Sequence, residues 1–272
     1  MKSQDKKRFL ELKDEESHIF KDYFLNDKSN SSMWDEDNYI NENNQISRDW
    51  VYMYQDKLAF RTIKSAINRS GQKYGESSIL DVGSNLYTAL FLSELCPVSY
   101  LEPRLNELSE YQGIESTFPW LCMNFIHGEA QSIPVENNSY DIVTSLHAVE
   151  HFGLGRYGDT IDYYGDQKGI REFNRVLKPD GGLVLSVPTS ENDPRIEFNG
   201  QRIYNPDMID EILDNSGFEI VYRYYIVSLG LNTKKDEKGN IVQLEPMSKD
   251  REVLKNVGRN QQAVYFTVSK KR

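Results

Sequence analysis

His147 and His151 stand four residues apart, with Glu150 between them, in the run Ser145-Leu146-His147-Ala148-Val149-Glu150-His151. An imidazole titrates near neutral pH, so either histidine can accept or return a proton under ordinary conditions. At this spacing the two share a face if the segment is helical. His151 comes later and opens into a polar loop, which makes it the preferred base. His147 has a structural hydrogen-bonding role as its competing reading. Glu150 either meets a bound cofactor or substrate or orients the loop. A second polar group follows in Arg156, Tyr157, Asp159, Asp162 and Asp166. Arg156 can grip a carboxylate or phosphate on a substrate, and Asp159 can act as a base. The acids can also hold a divalent cation through oxygen ligands, although no close ligand pattern asks for a metal. An Arg–Asp network that only holds the loop explains the same residues. Arg202 and Tyr204 are secondary candidates for the acceptor site.

Side chains of this kind need a scaffold, and the chain alternates strand and helix signals from Ile79 onward. Ile79-Leu80-Asp81-Val82 reads as a buried parallel strand. Gly83 permits a tight turn and close approach by a ligand, and Leu86 to Leu95 has helical apolar spacing. Further strands are expected at Val98–Leu101, Asn124–Ile126, Tyr140–Ser145 and Leu183–Val187. A helix over Gln167–Leu177 is closed by the turn Pro179-Asp180-Gly181-Gly182. A helix over Asp207–Asn215 is followed by strands at Phe218–Tyr225 and Ala263–Val268, which pair antiparallel at the sheet edge. The Lys-Lys-Asp-Glu-Lys-Gly-Asn run within Asn232–Asp250 suits an exposed hairpin tip or loop.

The expected architecture is α/β: a mostly parallel seven-stranded sheet with an antiparallel edge and helices on both faces. Upstream, Trp50–Ile67 is spaced as an amphipathic helix. The polar stretch 1–49, with one short helix expected around Phe9–Phe24, is read as an arm or lid on a main domain over 50–272. Its aromatics Phe20, Tyr23, Phe24, Trp34 and Tyr39 are too many for a disordered tail. They cover a cleft or bury a dimer contact, so a homodimer is among the expected assemblies.

Ligands of open α/β sheets bind beyond the C-terminal strand ends. Those ends carry Asp81 with Gly83, Ser84 and Asn85, then Glu102, then Gly128, Glu129 and Ala130, then Ser145 and Leu146 ahead of the histidines. An acid in the position of Glu102 can accept hydrogen bonds from ribose hydroxyls, and Glu129 can accept one from an adenine amino group. The 272 residues carry a net charge of −10, which argues against a general nucleic-acid surface. The expectation is a cytoplasmic protein without stable membrane insertion: no long apolar run is present, nor the apolar segment of a signal peptide. Cys96 and Cys122 give no disulfide framework, and Cys96 is expected to be packed.

With these residues laid out, the chain resembles the class I S-adenosylmethionine-dependent methyltransferases. Ile79-Leu80-Asp81-Val82-Gly83 is similar to their first motif, and Glu102 to their ribose-binding acid. Gly128 to Pro134 is similar to the third motif, Tyr140-Asp141-Ile142-Val143 to the fourth strand, and Arg175 to Gly182 to the turn after the helix. Ser84-Asn85-Leu86-Tyr87 departs from the usual glycine-rich loop. The segments Ser145–Asp159, with Asp162, Gly165 and Asp166, and Phe198–Tyr204 resemble a bacterial methyltransferase-like group associated with surface-glycan pathways.

The resemblance implies S-adenosyl-L-methionine as cofactor. It also implies O-methylation of a small sugar, nucleotide sugar or glycan precursor, with a base near the reacting hydroxyl. A cofactor-binding protein that assists a glycan enzyme, and a nicotinamide dehydrogenase with a degraded loop, are the alternatives.

Overall fold

The computed structural model describes residues 2–11, 24–25, 42–105, 122–227, 233–235, 237–238, 241–244, 247–257 and 263–272. Its elements begin with α1 (Lys2–Glu11), β1 (Phe24–Leu25), α2 (Glu42–Ser70), β2 (Ile79–Val82), α3 (Leu86–Ser93), β3 (Val98–Glu102), β4 (Met123–His127) and β5 (Tyr140–Leu146). They continue with α4 (Gly165–Val176), β6 (Leu177–Pro188), β7 (Arg195–Glu197), β8 (Gln201–Ile203), α5 (Pro206–Asn215) and β9 (Phe218–Val227). The last are β10 (Thr233–Lys235), β11 (Ile241–Leu244), β12 (Met247–Ser248) and β13 (Ala263–Lys271). Single 3-10 segments lie at Val149–His151 and Arg251–Asn256.

The main sheet has eight strands in the order β12-β9-β13-β6-β5-β2-β3-β4. Strands β4, β3, β2, β5 and β6 are mutually parallel. β13 runs antiparallel between β6 and β9, as expected for the two late strands. The seven-stranded expectation is corrected by β12, which pairs antiparallel with β9. Two residues carry no period-2 signal, so this strand is set by its neighbour and not by its own pattern. β10 and β11 form a separate antiparallel pair, with Lys234 and Lys235 of the charged run in β10; residues 236, 239 and 240 of that run lie outside the described residues.

Alternation along the strands divides the core in two. Ile79, Ile142, Leu146 and Val184 face α2 and α3, where they meet Leu58, Ile63, Ala89 and Leu92. Leu80, Val82, Val143 and Leu185 face the other way, onto Ile170 and Phe173 of α4 and Ile209 and Leu213 of α5. By the same alternation Asp81 and Thr144 share the α2–α3 side. Phe9 of α1 is buried against the rings of Tyr163 and Phe198, with centroids 5.0 and 5.2 Å away. This ties the start of the chain to the domain. Of the helix expected over Phe9–Phe24, α1 ends at Glu11 and 12–23 lie outside the described residues, as do Trp34, Tyr39 and the side chain of Phe24.

The helix expected over Trp50–Ile67 is longer, Glu42–Ser70, and crosses the division expected between 49 and 50. Pro179–Gly182 is corrected from a free turn to part of β6. Asp180 adopts φ +64°, and the pairing with β5 shifts register between Tyr140 and Ile142. The extra residues bulge out of the ladder while the strand continues. Cys96 is buried and Cys122 exposed, both as free thiols.

Candidate functional site

Beyond the C-terminal ends of β2, β3 and β5 lies a cavity of about 520 Å³. Its first wall is the turn from β2 to α3. Gly83 has φ +68°, and a Cβ there would sit 3.1 Å from the Ala148 Cβ, so both conformation and space favour glycine. The turn is internally tied. The Ser84 N–H donates to Asp81 Oδ1 (3.1 Å), the Leu146 N–H to Ser84 Oγ (3.0 Å), and the Tyr100 hydroxyl to the Ser84 carbonyl (2.7 Å). Asn85 caps α3 by accepting from the Tyr87 N–H at 3.0 Å. Asp81 lies beneath the turn, fully buried, and also accepts from the Thr144 hydroxyl. Burial, followed by these opposing hydrogen bonds and the nearby charge of Asp56, pushes its carboxyl up to about 7.

The second wall is the end of β3. Glu102 is buried, and both of its oxygens are engaged by Arg104. The Arg104 N–H and Nε reach Oε1 at 3.0 and 2.7 Å, and Nη2 reaches Oε2 at 3.2 Å. The Arg104 guanidinium also lies over the Tyr157 ring, 4.3 Å from its centroid, with Arg156 at 5.2 Å. The third wall is Gly128, Glu129, Ala130 and Gln131. Gly128 is required by packing, since a Cβ there would come within 2.7 Å of Pro134. Glu129 accepts from the Thr160 hydroxyl at 3.1 Å.

The floor carries the histidines. His147 adopts φ +53°, a strained value for a residue with a side chain. Val149–His151 is a 3-10 turn and not an α-helix, so the shared helical face is corrected. The turn nonetheless brings both rings to one carboxylate. His147 Nδ1 is 2.9 Å and His151 Nε2 3.8 Å from Glu150 Oε1. Burial pushes the Glu150 carboxyl up, but the electrostatic pull of the neighbouring His147 and His151 imidazoles and the His147 hydrogen bond outweigh it and hold it below the ordinary range. His151 Nδ1 donates to the Gly200 carbonyl at 2.7 Å, in the β7–β8 connection. This leaves Nε2 as its accepting nitrogen. Burial lowers the His151 pKa to about 4, against the opposing pull of Glu150, so the ring is neutral at pH 7.

Of the residues singled out from sequence, the cavity wall gathers Gly83, Ser84, Asn85, Glu102, Gly128, Glu129, Ala130, His147, His151, Tyr157 and Asp159. Asp81, Ser145, Leu146 and Glu150 are buried just behind it. Both Asp159 oxygens are occupied by loop N–H groups, from Gly153 at 2.7 Å and Tyr157 at 3.2 Å. Arg202, 0% exposed, donates to the carbonyls of Phe152 (2.6 Å) and Tyr163 (2.9 Å) and pairs with Asp166 at 3.6 Å. The Tyr204 hydroxyl donates to Asp166 at 3.0 Å, and Asp162 accepts from the Tyr164 N–H at 2.9 Å. Arg156 reaches the Gly200 carbonyl at 3.4 Å. These five residues brace the loop from behind and are absent from the cavity lining. Arg104, Phe152 and Tyr87 line the cavity without having been singled out. Only Arg104 had a local signal, two residues after the strand-end acid.

A family profile described as "Caenorhabditis protein of unknown function, DUF268" matches residues 121–255. The uncharacterized methyltransferase YcgJ of Bacillus subtilis is 26% identical over 155 residues, 53% of this chain and 54% of that protein. The demethylmenaquinone methyltransferase of Staphylococcus aureus is 37% identical over 79 residues, 29% of this chain and 28% of that protein. The chain thus spans about half or less of these relatives. In structure, YcgJ superposes with a TM-score of 0.53 at 15% identity, covering 81% of this chain and 99% of that one. The [4+2]-cyclase SpnF gives 0.51 at 16% identity, over 78% and 84%. The chain therefore has an α/β fold similar to that of the class I S-adenosylmethionine-dependent methyltransferases. Because a cyclase shares the architecture, the reaction must be argued from the site.

Proposed function

We propose that the protein is a cytoplasmic S-adenosylmethionine-dependent methyltransferase that methylates a hydroxyl of a small sugar, nucleotide sugar or surface-glycan precursor. The observation that carries this reading is one cavity joining the Gly83 turn, the strand-end acid Glu102 and His151. The residues fit the cofactor. Gly83 keeps the turn free of a side chain, Glu102 offers two acceptor oxygens for a ribose diol, and Glu129 and Ala130 stand where an adenine edge would be read. Glu102 becomes available to the ribose when the Arg104 side chain leaves it.

When bound, S-adenosylmethionine supplies an electrophilic methyl group for an oxygen nucleophile. Around it, the chain orients the acceptor and manages one proton. Tyr157, edge-on to His151 with centroids 5.4 Å apart, forms an amphipathic wall suited to a sugar face. His151 Nε2 takes the hydroxyl proton, while the Gly200 carbonyl holds its Nδ1–H and so fixes the tautomer. Glu150, held ionised, stabilises the imidazolium that results.

A second reading, a cofactor-binding protein that assists a glycan enzyme, is favoured by one fact: a pKa of about 4 makes His151 a weak base. The test is incubation with methyl-labelled S-adenosylmethionine and a panel of monosaccharides, nucleotide sugars and glycan fragments. Label on an acceptor oxygen supports the transferase. Cofactor binding without label on any member of the panel supports the assisting role.

A further inference from the structure

Three polar atoms beside the cavity are buried and make no hydrogen bond: Asp56 Oδ1 on α2, Thr88 Oγ1 in the first turn of α3, and Nε2 of His147. They lie together. Asp56 is close enough to Thr88 and His147 for both to act on its ionisation, although the Thr88 hydroxyl makes no hydrogen bond of standard geometry. Asp81 is also within electrostatic reach of Asp56. His147 lines the cavity together with Gly83, Ser84, Asn85 and Leu86, so the niche adjoins the turn ahead of α3.

The chemistry of the niche follows from proton placement. Glu150 is ionised and accepts at 2.9 Å from His147 Nδ1, so the ring hydrogen sits on Nδ1 and Nε2 presents a lone pair. The Thr88 hydroxyl can accept, and the Asp56 carboxylate only accepts. Gln55 answers them in part: its Oε1 is held by the Ser186 hydroxyl at 2.8 Å, and its side chain acts on the Asp56 carboxyl, while Asp56 Oδ1 stays without a hydrogen bond. Three acceptors with net negative charge repel a carboxylate or phosphate. They match a group that is cationic and carries three N–H donors. Orphaned buried acceptors are costly unless something fills them. Burial, against the opposing pull of Thr88, His147 and Gln55, still pushes Asp56 up to about 6, a cost that a cation would relieve.

We propose that Asp56, Thr88 and His147 form a subsite for a primary ammonium, and that the α-amino group of S-adenosylmethionine occupies it. The inference rests on the methyltransferase reading. It assigns to α2 a cofactor-binding residue that lies outside every motif near the strand ends. His147 thereby holds the cofactor, and His151 alone serves the acceptor.

The test is calorimetric binding of S-adenosylhomocysteine and of its des-amino analogue, which keeps the carboxylate. Wild type should prefer the parent by on the order of tenfold to a hundredfold, the range of a charge-assisted hydrogen-bonded contact. Asp56→Asn should remove that preference by weakening the parent alone. Thr88→Val, which keeps the apolar volume, should reduce the preference by a smaller factor. Equal wild-type affinity for the two compounds overturns the subsite without recourse to any variant. A loss on Asp56→Asn that is the same for both compounds also overturns it, because the effect is then structural. If wild type binds neither compound, both the cofactor reading and the subsite fall.

Discussion

Replacing Asp81 with Asn tests whether the cavity's turn rests on a buried carboxyl that resists ionisation. Asparagine keeps an acceptor for the Ser84 N–H but cannot titrate. In the unfolded chain Asp81 loses its proton near 3.8, while in the folded protein burial holds it to about 7. Between these values the folded state binds the extra proton. The contribution is therefore fully present below about pH 4 and lost as pH rises through about 7. At about 1.4 kcal/mol per pKa unit, the wild type should lose about 4 kcal/mol relative to Asp81→Asn across that window. Urea unfolding of both proteins at about pH 5 and about pH 7 reads roughly 2 kcal/mol of it. Wild type should lose ground to the variant as pH rises. Parallel pH profiles, or a wild type that gains on the variant, would refute the argument.

Three further perturbations probe the walls. His151→Ala should lower turnover by about a hundredfold to ten-thousandfold with S-adenosylhomocysteine affinity unchanged, as kinetics and calorimetry would show. Arg104→Ala should tighten that affinity severalfold, because the guanidinium no longer competes for Glu102; weaker binding would mean that Arg104 touches the cofactor instead. Arg202→Met leaves Asp166 buried without its ion-pair partner and two loop carbonyls without their donor. It should cost about 3–5 kcal/mol in denaturant unfolding.

The parallel strands were legible because buried runs such as Ile79–Val82 and Leu183–Val187 are bounded by turn residues, and their ends named Gly83, Glu102 and His151 directly. Pro179–Gly182 misled because Pro and Gly signal a turn locally, whereas pairing with β5 carries the strand through as a bulge. The start of α2 was hidden by the polar stretch Glu42–Asp49. Arg202, Tyr204 and Asp166 looked like substrate ligands because sequence reports their polarity but not their burial. Their partners lie roughly 40 residues away along the chain for Arg202 and Tyr204. Asp56 was invisible for a related reason. Its meaning arises only when α2 packs across α3 and sets a carboxylate beside His147.

The central claim is that the cavity holds S-adenosylmethionine with Glu102 on its ribose. Titration of the full chain with S-adenosylhomocysteine, for wild type and Glu102→Gln, tests it most directly. One molecule should bind per chain, and Glu102→Gln should weaken binding by about tenfold or more. An absence of binding by wild type, or equal affinity for the two proteins, would contradict the account.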